Sequence, residues 1–414
     1  MFKRRQPDVL VVGAGPVGLA TALILAKHGV SVEVIDDDDD TSRPPYTVVL
    51  HPATTEILAG LGLSAELATR STPVSQITVY DREEPRGSLR FEDHGAGAPV
   101  LTLPYDQFVE VLERRVREHK IPIHFQHRLS QLELIEPLRI KAVVEKLGVD
   151  GGGYSIPDSL LVVEDEIVLE PKLVVGADGF HSTVRRRAGI EMDSIGAPHA
   201  YVEVELETPL DVHGEARVIV GDQTTDVFWP GRDGKCRWVL EVKPGDVQPP
   251  RWTPVGTRED HAVPAALVER YLASRAPWFG GTRVEPDDYL DEVHFQPALA
   301  REFGKGVVWL AGDAAHVTGP IGSQSLNAGI QEGNELAMAV LLMKRNLADL
   351  SVLTHYDRAG RERWRSLLAL DWRPEHGARA EPYIRDHAAE VLSAIPGSGE
   401  DFWRLARQVG IDVV

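Results

Sequence analysis

Residues 8–36 read DVLVVGAGPVGLATALILAKHGVSVEVID. Residues 8–12 are a short apolar run of the kind that forms a buried parallel strand. The turn Gly13-Ala14-Gly15-Pro16-Val17-Gly18 follows, residues 19–28 read as a helix rich in Ala and Leu, and Gly29 is placed to cap it. Residues 32–35 supply a second strand. The whole is a βαβ unit, and its crossover is expected to be right-handed. Gly13 permits the tight bend, Gly15 lets the backbone approach a pyrophosphate, and Gly18 lets the helix pack against the strand. Pro16 and Val17 open the helix, whose positive dipole end would face the phosphates. Asp36 closes the second strand about 20 positions after the turn, where an acid binds ribose hydroxyls. The stretch predicts a dinucleotide-binding lobe.

The 414-residue chain has room for two or three lobes, at roughly 100–200 residues per domain. Its 43 % hydrophobic and 26 % charged residues fit a soluble globular protein rather than a disordered or fibrous one. With 63 acidic against 44 basic residues the formal charge is −19, which argues against nucleic acid or an anionic membrane surface as a partner. The lone cysteine, Cys236, leaves no intrachain disulfide and no cysteine-cluster metal site, and a cytoplasmic setting is expected. Lys3-Arg4-Arg5 ahead of an apolar run has the outline of a signal peptide, but Pro7, Asp8 and the three glycines fit a strand, turn and helix better. No apolar stretch reaches the about 18–20 residues of a membrane-spanning helix.

Further along, helices are expected at 54–61 and 106–119, the second from the spacing of Phe108, Val109, Leu112 and Val116. Runs 77–80 and 88–91 read as strands about a turn at Glu84-Pro85-Arg86-Gly87. Residues 121–125 make a strand, and 129–175 are strand-rich around a loose loop at 151–153. Runs 201–206, 216–220, 227–229 and 237–242 predict a second, mostly antiparallel sheet. Pro249, Pro250 and Pro254 break the chain before a helix near 264–274. Residues 307–311 return to a buried strand, 327–344 form a long helix, and the remainder is helical with Pro374, Pro382 and Pro396 as breaks.

Two more motifs sit where a strand gives way to a helix. Strand 173–175 runs into Gly176-Ala177-Asp178-Gly179-Phe180-His181-Ser182-Thr183-Val184-Arg185. Strand 307–311 runs into Gly312-Asp313-Ala314-Ala315-His316, continued by Pro320-Ile321-Gly322 and Leu326-Asn327-Ala328-Gly329. Loops of small residues at a helix start suit backbone contact with a ligand, and Asp313 is placed to accept hydrogen bonds from sugar hydroxyls. Of the aspartates 36–40, Asp36 is placed for the ribose, and the others read as a solvated, negative rim. His316 has no second ligand at metal spacing and reads as structural, Cys236 reads as a packed thiol, and no metal is expected. Neither H-E-x-x-H nor G-x-S-x-G occurs, so zinc protease and serine hydrolase chemistry lack support.

The three motifs, in this order and near these spacings, resemble the single-component flavin monooxygenases of the para-hydroxybenzoate hydroxylase type, over residues 8–345. The resemblance implies an α/β fold: a Rossmann-like FAD lobe of the glutathione-reductase type, an inserted β-rich substrate lobe and a helical C-terminus. The lobes are expected at 1–75, 101–190 and 301–345 for FAD, at 76–100 and 191–300 for substrate, and at 346–414 for the C-terminal region. The cofactor implied is FAD, with NADH or NADPH as co-substrate. The negative rim after Asp36 leans toward NADH. The first motif would hold the ADP part of FAD, with Asp36 on the adenosine ribose. Asp178 would be the acid of the segment shared by FAD pyrophosphate and NAD(P)H, and Gly312 and Asp313 would bind the ribityl chain. Leu326 and Asn327 match positions whose backbone lies by the flavin ring, and Pro320 matches a proline facing the oxygen-reaction site. The chain also departs from the pattern. Asp37 stands where the family has Arg, Tyr46 where an Arg is common with Arg43 close by, and Tyr105 or Gln107 must replace an Arg or Gln. Ser323 and Ser325 flank Gln324 after Gly322, at positions often glycine, and a side chain there would crowd or hydrogen-bond the flavin.

The reaction implied is hydroxylation of an electron-rich aromatic or polycyclic molecule by O2 through a C4a-hydroperoxide of reduced flavin. Substrate would lie between the β-rich lobe and the flavin, with Phe228, Trp229, Trp238 and Phe295 as lining candidates and His51 and His294 as polar ones. No base is assigned. A flavin reductase or dehydrogenase, an epoxidase or Baeyer–Villiger oxygenase, and a non-enzymatic carrier of the same fold are the alternatives. The expected assembly is a monomer or homodimer.

Overall fold

Strand Val9–Val12 lies inside a six-stranded sheet with the order Gly304–Lys305, Val308–Leu310, Leu173–Gly176, Val9–Val12, Val32–Ile35, Ile123–His124. Every pairing is parallel except the one made by Gly304–Lys305. Burial on both faces explains why these strands read as uninterrupted apolar runs. The structure, a computed structural model, describes residues 6–412 apart from 42, 92–98, 137–138, 150–160, 222, 244, 247–262, 281–282, 286–287, 369–374 and 377–379. The loop expected at 151–153 and the breaks at Pro249, Pro250, Pro254 and Pro374 lie outside the described residues.

Helix Pro16–Lys27 begins three residues earlier than its apolar pattern, because Pro16 is preset for the first helical position. It packs between helices Tyr105–Glu118 and Gln324–Lys344. A three-stranded antiparallel sheet (His127–Glu136, Arg139–Val149, Leu161–Leu169) makes up the strand-rich region. Helix Ser351–Leu367 adds Leu353, Tyr356 and Trp364 to the same core.

The second sheet has seven strands: Tyr289–Phe295, His199–Glu207, Lys235–Glu241, Thr225–Pro230, Glu215–Val220, Gln76–Asp81 and Glu84–Arg90. All its pairings are antiparallel except Glu215–Val220 with Gln76–Asp81. The hairpin turn falls at Arg82-Glu83, not at 84–87. Arg82 takes φ 56° and reverses the chain early, and Pro85 is tolerated because its strand is at the sheet edge.

One face of this sheet is covered by helix Ala265–Arg275, burying Phe228, Trp238 and Leu240. The other face meets the C-terminal elements, where Ile384, Val391, Ile395, Phe402 and Leu405 join Trp229 and Ile321. Among the described residues no helix is long and apolar enough to cross a membrane.

Candidate active site

Four adjacent parallel strands end together, after Val12, Ile35, Gly176 and Leu310; the three motifs leave the first, third and fourth, and Asp36 follows the second. Backbone bonds tie the ends: Gly13 N–H to the Ile35 carbonyl at 2.8 Å, Ala177 N–H to Val12 at 2.8 Å, and Ala311 N–H to Gly176 at 2.9 Å. Ligands of open α/β sheets bind at such carboxyl ends. A cavity of about 640 Å³ opens there and runs under the second sheet.

The glycine turn has three distinct constraints. Gly13 takes φ +108°, and a Cβ on it would lie 2.2 Å from the Ala177 carbonyl oxygen. A Cβ on Gly18 would lie 1.9 Å from the Gly13 carbonyl oxygen. A Cβ on Gly15 meets nothing within 4 Å, so it projects into open space beside the helix N-terminus. That open cradle fits a pyrophosphate.

The three acids line the cavity. Asp36 accepts hydrogen bonds from the Ala14 N–H at 2.5 Å and the Asp38 N–H at 3.0 Å, and burial raises its pKa. Asp178 caps the short helix Thr183–Arg187, accepting from Ser182 Oγ at 2.5 Å and the Thr183 and Val184 N–H groups at 2.7 and 3.0 Å. Asp313 presents its side chain to the cavity, and desolvation there raises its pKa. His316 proves structural: its Nε2 bonds the Glu332 carboxylate at 2.7 Å, and its ring stacks on Trp364 at 3.8 Å.

Gly13, Gly15, Pro16, Val17, Asp36, Asp37, Tyr105, Asp178, Asp313, Pro320, Ser323, Gln324, Ser325, Leu326 and Phe295 all line the cavity. Ser323 takes φ 51°, ψ 38°, the left-handed region that favours glycine. Other expected residues do not line it. Gly18 and Gly312 sit behind the loops, Gly312 donating its N–H to Glu332 at 2.9 Å. Gly322 and Asn327 brace the loop from beneath. Asn327 donates to the Val49 and Ser323 carbonyls and accepts from the His51 N–H, and the Gly322 carbonyl meets His51 Nε2 at 3.1 Å. Arg43 turns to Glu113 at 2.8 Å, and Gln107 lies off the cavity.

The expected substrate wall needs correction. Phe228 and Trp238 point to the opposite face of the sheet, edge to face at 5.2 Å, under helix Ala265–Arg275. Trp229 is packed in the C-terminal core. His51 is fully buried, burial pushes its pKa down to about 3, and it stays neutral. His294 is exposed and bonds Glu292 at 2.6 Å. Strand alternation puts every second residue on each face, so Arg237 faces the cavity because Trp238 does not.

The wall found instead comprises Tyr46, Glu203, Arg237, Tyr289, Asp291 and Phe295. Arg237 bonds Glu203 at 2.7 Å and the Thr47 carbonyl at 2.5 Å, and lies 4.9 Å from the Tyr46 ring centroid. Burial pushes the Tyr46 hydroxyl up to about 12. Tyr46 also contacts Tyr105 at 5.2 Å, so two aromatics stand where the resemblance implied an Arg and an Arg or Gln. The legible signal was a charge on alternate positions of two apolar strands: Glu203 and Glu205 in one, Arg237 in the other.

Glu205 accepts from the Thr47 N–H at 2.5 Å and hydroxyl at 3.0 Å, joining the two lobes. Desolvation nonetheless raises its pKa from 4.5 to about 7. A carboxyl raised on folding contributes stability that is complete below its unfolded pKa and lost as pH rises through its folded one. Glu205→Gln is therefore expected to flatten a loss of about 3 kcal/mol between pH 4.5 and 7 in urea unfolding. An unchanged slope would remove Glu205 as its source.

Strand ends that open onto a pyrophosphate-sized cradle, with a second sheet over the far half, define a two-lobed dinucleotide-binding protein. Comparison with known proteins narrows the class: the family described as "FAD binding domain" matches residues 6–371, and the chain belongs to it. FAD is its cofactor, and its relatives are FAD-dependent monooxygenases. Para-nitrophenol 4-monooxygenase of Pseudomonas sp. (strain WBC-3) is 28 % identical over 357 residues, 84 % of this chain and 81 % of that one. 6-Methylpretetramide 4-monooxygenase of Streptomyces rimosus is 28 % identical over 84 % of this chain, which spans only 58 % of that protein. The crystal structure of p-nitrophenol 4-monooxygenase from Pseudomonas putida DLL-E4 shares the fold, with TM-score 0.70, 23 % identity, and 98 % and 96 % of the two chains covered. That of aklavinone-11 hydroxylase with FAD and aklavinone has TM-score 0.69 and 25 % identity, covering 94 % of this chain and 71 % of that one.

Proposed function

We propose that this chain uses NAD(P)H and O2 to hydroxylate an electron-rich aromatic molecule, one oxygen atom entering the arene and the other leaving as water. One observation carries the reading: a single cavity joins the glycine cradle to an aromatic and charged wall on the second sheet. The names of the relatives, acting on a nitrophenol and on a polycyclic molecule, support the substrate class.

Bound FAD supplies electron transfer from the nicotinamide and activation of O2. The chain's residues position it. Gly13, Gly15 and the amides of the helix Pro16–Lys27 hold the pyrophosphate, Asp36 the adenosine ribose and Asp313 the ribityl chain. Pro320, Ser323, Gln324, Ser325 and Leu326 border the ring. The second sheet covers the far half and keeps water from it. Exposed Asp37 and Asp38 keep the rim negative and favour NADH. We divide the chain into the FAD, substrate and C-terminal regions read from its sequence, with helix Ser351–Leu367 serving the FAD lobe. A chain with a single cysteine fits the cytoplasmic setting we propose.

The test is turnover of the FAD-loaded protein with NADH, isotopically labelled O2 and a panel of phenols. One labelled atom per product hydroxyl is the expected result. Product without label, or NADH oxidation indifferent to every arene, would replace the reading with a flavin reductase or dehydrogenase.

A further inference from the structure

The C-terminal segment lies beyond residue 371, where the match to the family ends, yet it packs against the loop that follows Pro320. Between helices Ala388–Ser393 and Gly399–Gln408 the connection 394–398 is buried at every residue. Connections normally run over the surface, because a buried one carries backbone groups that water cannot reach. Here the Ile395 carbonyl accepts from the Gly397 N–H at 3.0 Å and from Gln324 Nε2 at 2.6 Å. Gln324 is only 6 % exposed and opens helix Gln324–Lys344 at the cavity.

Two more contacts run along the same line. The Ser393 carbonyl sits against Gly322, where a Cβ would lie 2.3 Å from its oxygen. Ser398 Oγ donates to Gln331 Oε1 at 2.7 Å, about two turns further along the helix. The same segment is fastened to the second sheet. The Tyr383 hydroxyl donates to the Val220 carbonyl at 2.5 Å, and the Gln408 amide bonds both the N–H and the carbonyl of Arg90, at 2.7 and 3.0 Å. Ile384, Val391, Ile395 and Phe402 share a core with Ile321, the neighbour of Pro320. No described residue of 381–412 lines the cavity.

The loop held by these contacts is costly to place, because Ser323 takes the left-handed region at φ 51°. A residue other than glycine persists there only where its surroundings over-determine it. Asn327 ties the loop to Val49 from one side, and Gly322 and Gln324 meet the C-terminal segment on the other. With FAD lying across the strand ends as proposed, we infer that Gln324 is a positioning residue. Its amide is engaged by the Ile395 carbonyl, and through that bond the C-terminal segment sets where Pro320, Ser325 and Leu326 stand at the flavin border. An element that positions the border of FAD must itself be stabilised by FAD, because such coupling is reciprocal.

The test is hydrogen exchange of the full chain with and without saturating FAD, in the absence of NADH. Backbone amides of 388–398 are expected to exchange at least about fivefold more slowly with FAD, although none of these residues lines the cavity. Helix Ala265–Arg275, on the opposite face of the second sheet, is the reference and should change less than about twofold. Gln324→Met is of similar length but has no donor. It is expected to lower FAD affinity about 2–10-fold, the worth of one hydrogen bond, and to bring the slowing at 388–398 below about twofold at saturating FAD. No slowing at 388–398 in the wild type, equal slowing in the reference helix, or full slowing in Gln324→Met would overturn the proposal. The wild-type comparison decides even if the variant does not fold. Gly15→Val separates the two ways to fail: if it loses FAD affinity while the wild type shows no slowing, the placement of FAD stands and the coupling alone falls.

Discussion

Glu332→Ala is expected to destabilise the protein by about 3–5 kcal/mol and to weaken FAD binding with it. Glu332 is fully buried, and its two oxygens accept from the Gly312 N–H at 2.9 Å, His316 Nε2 at 2.7 Å and the Trp364 indole N–H at 2.9 Å. Burial alone would raise its pKa, but His316, Arg363 and the Gly312 N–H more than offset that, so the carboxyl is held below its ordinary range. Alanine would strand three buried donors at once, and one of them opens the loop that carries Asp313. Urea unfolding of the apoprotein reads the first effect, and FAD titration the second. Glu332→Gln keeps the shape but offers only one acceptor oxygen, and should cost about 1–3 kcal/mol. A depressed carboxyl pKa contributes stability present above the unfolded pKa and lost as pH falls through the folded one. The wild type should therefore lose stability on acidification more steeply than Glu332→Gln. Equal stability of the alanine variant would mean that the network does not support the loop.

How much of this was legible in the sequence depends on the kind of signal. The parallel sheet was, because burial on both faces leaves continuous apolar runs such as Val9–Val12 and Leu173–Gly176, each followed by a loop of small residues. That three small-residue loops leave one end of this sheet was legible too, from the glycines at fixed offsets after each strand. The substrate wall was less so. Phe228 and Trp238 drew attention by size, but size does not tell which face of a strand a side chain takes. Alternation does, and it put Arg237, Glu203 and Asp291 on the cavity side. Their pairing across strands depends on register, which a single strand does not carry. The roles of His51, Gln324 and Asn327 were hidden more deeply. Gln324 donates to the Ile395 carbonyl at 2.6 Å and Asn327 to Val49 at 2.8 Å, contacts between segments 71 and 278 residues apart.

Gly15 and Gly18 provide the sharpest separation between folding and cofactor binding. Gly15 has φ −69° and ψ 174°, extended backbone that any residue adopts, and a Cβ there meets no protein atom within 4 Å. Gly15→Val should therefore fold like the wild type, its apoprotein stability changed by no more than about 0.5 kcal/mol. The added methyl groups would occupy the space a pyrophosphate needs against the helix N-terminus, and FAD affinity should fall at least about 100-fold. Gly18→Val has the opposite signature. Its Cβ would lie 1.9 Å from the Gly13 carbonyl oxygen, backbone against backbone, where no rotamer gives relief. Helix Pro16–Lys27 would have to lift from the strand, with a loss of stability of at least the about 1–3 kcal/mol typical of overpacking. Thermal unfolding of the two apoproteins, paired with FAD titration followed by flavin fluorescence, distinguishes them. Normal FAD affinity in Gly15→Val would show that the phosphates do not lie in this turn, and the assignment of Asp36 to the ribose would go with it, since both rest on the same placement of the ligand across the strand ends.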